Sequence, residues 1–371
     1  MKILITGGHL APALAVIDGI RENKELSKTT SIVFVGRKYA QYTDKKPTLE
    51  YQEITSRNIP FFHLKAGRLN RSVSIRSLAG VMRVPEGFFQ AYHILNKEKP
   101  DIVLSFGGYL ALPVAVVSRL FGIPVYTHEQ TVHPGLANRL IAAFAQKVFI
   151  SFPQSRKYFP RRKIYMSGNP VRKQIHENKK LSYIPSGRGK IIYITGGSLG
   201  SHSINAHIEE ILNALLSRYI VIHQTGNVTE FDDFNRLTKV RNKLPPELKE
   251  RYVLKEHIPS YENGGVYKAA DLVISRAGAN TFFDLIALKK PAILIPLPWS
   301  ANGEQEKQAK ILCDAQAAEI FDQADTSDHL LELVDSMMGK LHDYEEHYAQ
   351  LSGIYQKDAV QTIIQTIFKT A

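Results

Sequence analysis

Short apolar runs alternate with amphipathic stretches along most of the chain. Ile3–Ile5, Ser31–Val35, Ile102–Ser105, Pro124–Thr127 and Val148–Ile150 read as strands of a buried parallel sheet. Between them, Pro12–Arg21, Phe88–Asn96, Ala111–Phe121 and Gly135–Phe144 carry helical spacing. The pattern restarts after Ser151–Pro185. Ile191–Thr195, Tyr219–Gln224, Tyr252–Lys255, Leu272–Ser275 and Ala292–Pro296 read as strands, again separated by helical stretches. Two consecutive runs of this alternation predict two doubly wound α/β domains with a cleft between them. Breaker signals at Phe159-Pro160 and Gly168-Asn169-Pro170 put the boundary near 160–170, giving domains 1–165 and 166–371. Asp343–Thr370 reads as a helical tail that packs back on the first domain.

Composition narrows the class. The 371 residues are 44% hydrophobic and 22% charged, the mix of a globular protein long enough for two cores. The single Cys313 excludes a disulfide framework and a cysteine-rich zinc site, and fits a reducing cytosol. The opening MKILITGG is a strand running into a glycine turn, with no secretory pattern. No run of about 20 apolar residues predicts a membrane span. Walker A, HExxH and Asp-x-Asp motifs are absent, so no metal site is expected. The net charge of +12 is one-sided: residues 1–165 hold 24 Lys+Arg against 10 Asp+Glu, a net of +14, and the remainder holds −2. An anionic partner for the first half follows, whether nucleic acid, phosphorylated substrate or membrane; scattered solubilising lysine is the plainer reading.

Glycine turns follow predicted strands three times: Thr6-Gly7-Gly8-His9, Phe106-Gly107-Gly108-Tyr109, and Thr195-Gly196-Gly197-Ser198-Leu199-Gly200-Ser201. Such turns let backbone N–H groups approach a phosphate at a helix N-terminus. None has the spacing G-x-G-x-x-G, which disfavours a dinucleotide dehydrogenase. A fourth strand end reads Ser275-Arg276-Ala277-Gly278-Ala279-Asn280-Thr281, with Asp284 one to two turns into the next helix, where a carboxylate can accept from a ribose diol. Glu304-Gln305-Glu306-Lys307-Gln308-Ala309 puts carboxamides at a helix start, suited to sugar hydroxyls. Thr127-His128-Glu129-Gln130-Thr131 clusters polar groups at a strand end in the basic half; a satisfied His–Glu pair is the plainer reading.

In this order, SFGGYLALP (105–113), HEQTVHPGLANR (128–139), GNPVR (168–172), TGGSLGS (195–201), SRAGANTFFDL (275–285) and EQEKQA (304–309) resemble the MurG family. These are the UDP-N-acetylglucosamine–N-acetylmuramyl-(pentapeptide) pyrophosphoryl-undecaprenol N-acetylglucosaminyltransferases of glycosyltransferase family 28. The resemblance runs from Lys2 to about Leu312. It implies the GT-B fold, with two Rossmann-like domains, and an inverting transfer to the muramyl 4-hydroxyl of lipid I in peptidoglycan synthesis. It implies no bound metal or other cofactor, and a peripheral position on the cytoplasmic face of the cell membrane. It also assigns residues. Arg172 and Ile258 lie on the nucleotide side, Asp284 at the ribose, and Ser198 with Gly196 and Gly197 at the diphosphate. Ala279, Thr281 and Gln305 lie at the N-acetylglucosamine. Gly7, Gly8, His9, Gly107, Gly108, Tyr109, His128, Glu129, Gln130 and Thr131 line the acceptor, the undecaprenyl-diphosphate-linked muramyl peptide.

The chain departs from the family's pattern in places. Only Gly7-Gly8-His9 stands where the family has GGTGGH; Thr131 replaces an Asn, Glu304 a His, Gln308 an Asn and Ser201 an Ala. His9 is the expected base, because imidazole titrates near neutrality, with His128, held by Glu129, as second candidate. Between His63 and Arg83, Lys65, Arg68, Arg71, Arg76 and Arg83 interleave with Leu69, Val73, Ile75, Leu78, Val81, Met82 and Val84, which suggests a segment lying on an anionic inner membrane surface. Two other readings stay open: a UDP-sugar enzyme of the same fold with another glycolipid acceptor, and a non-catalytic UDP-sugar-binding membrane protein. A nucleic-acid partner is not expected, since no recognition motif is present.

Overall fold

The computed structural model describes residues 1–39, 47–65, 84–177, 179–185, 189–197, 199–226 and 230–369. The apolar runs of the first series form a seven-stranded parallel sheet. Its strands are β1 (Lys2–Thr6), β2 (Ser31–Gly36), β3 (Phe61–His63), β4 (Ile102–Ser105), β5 (Val125–Glu129), β6 (Lys147–Ile150) and β7 (Ile164–Met166), in the order β3-β2-β1-β4-β5-β6-β7. Successive side chains of a strand face opposite ways, so an unbroken apolar strand needs cover on both faces. Ile3 and Ile5 of β1 and Phe34 of β2 pack with the helix Leu10–Glu22 and with Ile363, Ile364 and Ile367 of the last helix, Ala359–Lys369. Leu4, Val33 and Val35 point the other way, into a core shared with the helices Val84–Glu98, Ala111–Leu120 and Leu136–Phe144.

The second series forms a six-stranded parallel sheet. It is built from β8 (Ile191–Thr195), β9 (Ile220–Gln224), β10 (Tyr252–Lys255), β11 (Leu272–Ser275), β12 (Ala292–Leu294) and β13 (Ala318–Ile320), in the order β10-β9-β8-β11-β12-β13. Ile192, Ile194, Leu272 and Ile274 pack on the helices His202–Arg218 and Ser327–Met338. The chain divides into two compact units, Met1–Arg172 with Gln356–Ala371, and Lys173–Tyr355.

The structure adds β3, β7 and β13 to the expected strands. Each has only three residues and none is buried along its whole length, unlike the three-residue β12. β5 runs on through His128 and Glu129, which places both inside a strand. The tail expected as one helix over 343–370 is two. A helix Leu341–His347 and a 3₁₀ turn Tyr348–Leu351 lie in the second unit, and Ala359–Lys369 belongs to the first. The residues between, which include Gly353, leave the helix as the chain passes from one unit to the other. Most of the basic segment, including Arg68, Arg71, Arg76 and Arg83, lies outside the described residues, and so does Ser198.

Candidate active site

In the first sheet the chain order reverses between β1 and β4, the switch point where open α/β sheets bind ligands. Both glycine turns of this unit sit there. The Phe106 N–H donates to the Thr6 carbonyl (3.3 Å), and the His9 N–H donates to the Phe106 carbonyl (3.2 Å). A Cβ on Gly8 would overlap the Gly107 backbone, and Gly107 and Gly108 both adopt left-handed φ, +82° and +79°. Glycine is therefore required on both sides of this contact.

Around the turns lie buried polar atoms without a hydrogen-bond partner: Thr6 Oγ1, His9 Nδ1, His128 Nδ1 and Gln130 Oε1. Four such atoms at neighbouring strand ends are costly in a folded protein and match a hydroxyl-rich ligand. Burial lowers the His9 pKa from the ordinary 6.5; the Glu129 charge and the Phe106 carbonyl oppose this without cancelling it. A neutral imidazole with a bare Nδ1 can accept a proton.

The expected His128–Glu129 pair is not formed, because neighbours on a strand face opposite sides of the sheet. His128 is fully buried, its Nε2 3.2 Å from both the Gly168 carbonyl and the Ser151 hydroxyl, and burial pushes its pKa down to about 3. Glu129 instead accepts from the Thr131 N–H (2.8 Å), the Thr131 hydroxyl (2.7 Å) and Asn138 Nδ2 (2.8 Å). Asn138 packs against Gly107, so Glu129 and Thr131 brace the second glycine turn from below.

Sequence reasoning missed Glu50. Its Oε2 accepts the Arg37 N–H (2.9 Å), and the carboxylate fills the space that side chains at Gly7 and Gly36 would take. Burial raises its pKa to about 7, against the pull of the Arg37 N–H and charge and of the Gly8 N–H. The Arg37 guanidinium in turn lies 5.2 Å from the Tyr109 ring centre. In the sequence Glu50 looks like an ordinary solvated helix residue; only the glycine gaps reveal it.

In the second unit the turn after β8 packs on the strand end of β9. Gly200 (φ +86°) and Gly226 (φ +80°) meet backbone to backbone, with no room for a Cβ on either. Gln224, also missed, ties this turn to the nucleotide-side position. Its Nε2 donates to the Gly197 carbonyl (2.9 Å) and to Thr195 Oγ1 (3.1 Å), and its Oε1 accepts the Ile258 N–H (2.9 Å). Gly196 lies under the Ser201 N–H. Ala279 and Thr281 open the helix Ala279–Leu288, and Asp284 is half-buried on it. The Asp284 charge adds to burial in raising the Tyr193 phenol, which places the carboxylate near β8. Gln305 is half-buried, its Oε1 accepting the Leu297 N–H (3.0 Å). Arg172, half-buried, closes the first unit.

Two parallel-sheet units with ligand-suited turns at their strand ends define a glycosyltransferase of the GT-B class. A family model for the glycosyltransferase family 28 N-terminal domain matches residues 6–150, and one for the family 28 C-terminal domain matches 191–367. A Clostridium perfringens UDP-N-acetylglucosamine–N-acetylmuramyl-(pentapeptide) pyrophosphoryl-undecaprenol N-acetylglucosamine transferase is 35% identical over 83% of this chain and 80% of its own length. A Bacillus thuringiensis transferase of the same name is 30% identical over 99% of both chains. The crystal structure of Acinetobacter baumannii MurG superposes with a TM-score of 0.72 at 25% identity, covering 99% of each chain. The chain belongs to the MurG family of glycosyltransferase family 28.

Proposed function

We propose that the protein transfers N-acetylglucosamine from UDP-N-acetylglucosamine to the 4-hydroxyl of the muramyl sugar of lipid I, forming lipid II at the cytoplasmic face of the membrane. Full-length similarity to transferases bearing that name carries the reading. The orphaned polar atoms around His9 and the glycine turns of both units support it.

The acceptor oxygen attacks the anomeric carbon and inverts it. The carbon–oxygen bond to the β-phosphate breaks, and its electron pair leaves on UDP. The hydroxyl proton passes to His9 Nδ1, the base that burial keeps neutral. The Glu129 charge, which raises the His9 pKa, favours the imidazolium that forms. The turn 196–201 and the start of helix His202–Arg218 take up the growing diphosphate charge. Asp284 holds the ribose, the Ile258 loop meets the uracil, Arg172 lies beside the nucleotide, and Ala279, Thr281 and Gln305 meet the sugar. Two carboxamide groups stay available: Gln130 Oε1 for acceptor hydroxyls, and Gln305 Nε2 for donor ones.

The shortened Gly7-Gly8-His9 turn offers fewer amides to a lipid diphosphate than GGTGGH would, and this favours a second reading with another glycolipid acceptor. Labelled N-acetylglucosamine offered with a panel of lipid-linked acceptors decides between them. Label should move to the muramyl lipid; transfer only to a different glycolipid would select the second reading.

A further inference from the structure

Arg276 is 9% exposed, and each of its hydrogen bonds ends on a neutral oxygen. Nη1 donates to the carbonyls of Ile295 (3.0 Å) and Pro296 (3.3 Å) after β12. Nη2 donates to the hydroxyls of Ser201 (2.7 Å) and Ser203 (2.7 Å) and to Gln323 Oε1 (2.9 Å). Among the described residues no carboxylate pairs with it. A buried cation normally has a counter-charge, because losing its hydration without one is costly. Here both amino groups of the guanidinium are hydrogen-bonded by the protein, but the charge is not neutralised by it. Burial lowers its pKa only to about 10, so it stays charged at neutral pH.

Ser201 links this charge to the turn. Serine is a favoured helix N-cap, and Ser201 occupies that position before His202–Arg218, yet its hydroxyl caps no backbone N–H. It accepts from Arg276 instead. Ser203 also accepts from Arg276 and lies 3.1 Å from Gln323 Oε1, to which its own proton goes. The Ser201 hydroxyl proton therefore has only Ser203 (3.3 Å) or a ligand to bond.

We propose that Arg276, acting through Ser201, supplies the positive potential with which the turn 196–201 holds the diphosphate of a uridine-diphosphate donor. The inference rests on reading that turn as the diphosphate site. The nucleotide's diphosphate is then the missing counter-charge, and the Ser201 O–H, polarised by the guanidinium, donates toward it. Arg276 is a positioning residue here, since both its amino groups are already bonded within the protein.

Calorimetric titration of the full chain with UDP, UMP and uridine tests this on the parent, Arg276→Met, Arg276→Lys and Ser201→Ala. Arg276→Met should weaken UDP by at least ~30-fold and uridine by less than ~3-fold, with UMP between. Arg276→Lys should keep part of the UDP affinity, and Ser201→Ala should lose UDP selectively by a smaller factor. A purely structural role would weaken all three ligands by the same factor, and that result overturns the proposal. So does an unchanged UDP affinity in Arg276→Met. If Arg276→Met does not fold, the UDP-to-uridine split in Ser201→Ala and Arg276→Lys decides on the same terms. A parent chain that binds uridine no less tightly than UDP would instead overturn the reading of the turn as a diphosphate site.

Discussion

His9 Nδ1 faces no protein partner, and burial keeps the ring neutral at pH 7. His9→Ala should lower turnover at least ~10-fold while UDP affinity is kept. Near-normal turnover would remove His9 from the mechanism. The acid limb of kcat/KM should fall below pH 6.5, because the base works only while deprotonated and its pKa is lowered. Glu50 responds in the opposite sense. Its carboxyl is raised from 4.5 to about 7, so the folded chain binds more protons than the unfolded one between those values. Stability from this group is therefore full below pH 4.5 and falls as pH rises towards and through 7. Glu50→Gln should raise the melting temperature relative to the parent at pH 8 more than at pH 5. An equal difference at both pH values would show that Glu50 does not titrate there. His9 was legible because a histidine after a glycine turn is a local signal. Glu50, Gln224 and Arg276 were not, because what marks them is a gap, a carbonyl or a hydroxyl contributed by distant segments.

At the scale of elements, strands whose apolar run is buried announce themselves, and the partly exposed three-residue β3, β7 and β13 do not. The glycine turns were legible as motifs, but their contact across β1 and β4 is a product of strand order. Helices also carry a surface the sequence did not single out. Phe89 (65% exposed) and Tyr92 on Val84–Glu98, with Leu120 (78% exposed) and Phe121 at the end of Ala111–Leu120, leave apolar groups open, and Tyr92 meets Phe121 edge to face at 5.4 Å. Beside them Arg119 and Arg162 both lower the Lys163 amine after burial does, so these cations are neighbours. Exposed apolar groups beside a cluster of cations suit an anionic lipid surface. The protein should co-sediment with anionic vesicles and be released by high salt. Phe89→Ser combined with Leu120→Ser should weaken the association at low salt. Equal partitioning onto neutral vesicles would remove the electrostatic part of this account. No helix among the described residues is long and apolar enough to cross a membrane.

Across the whole molecule, the lopsided charge acquires a meaning that the total of +12 lacks. The first 165 residues, at +14, carry the proposed acceptor and lipid contacts, while the remainder, near neutral, carries the proposed nucleotide-sugar contacts. Fold class followed from strand–helix alternation because each sheet is buried on both faces and so reads as continuous apolar runs. Acceptor identity does not follow from that physics; it depends on how few amides the Gly7-Gly8-His9 turn can present. UDP release from UDP-N-acetylglucosamine, measured with and without a lipid I analogue, tests the account most directly. Release should rise at least ~10-fold above the acceptor-free rate when the analogue is added, since transfer needs a hydroxyl to attack. The same slow release with and without the analogue would contradict it.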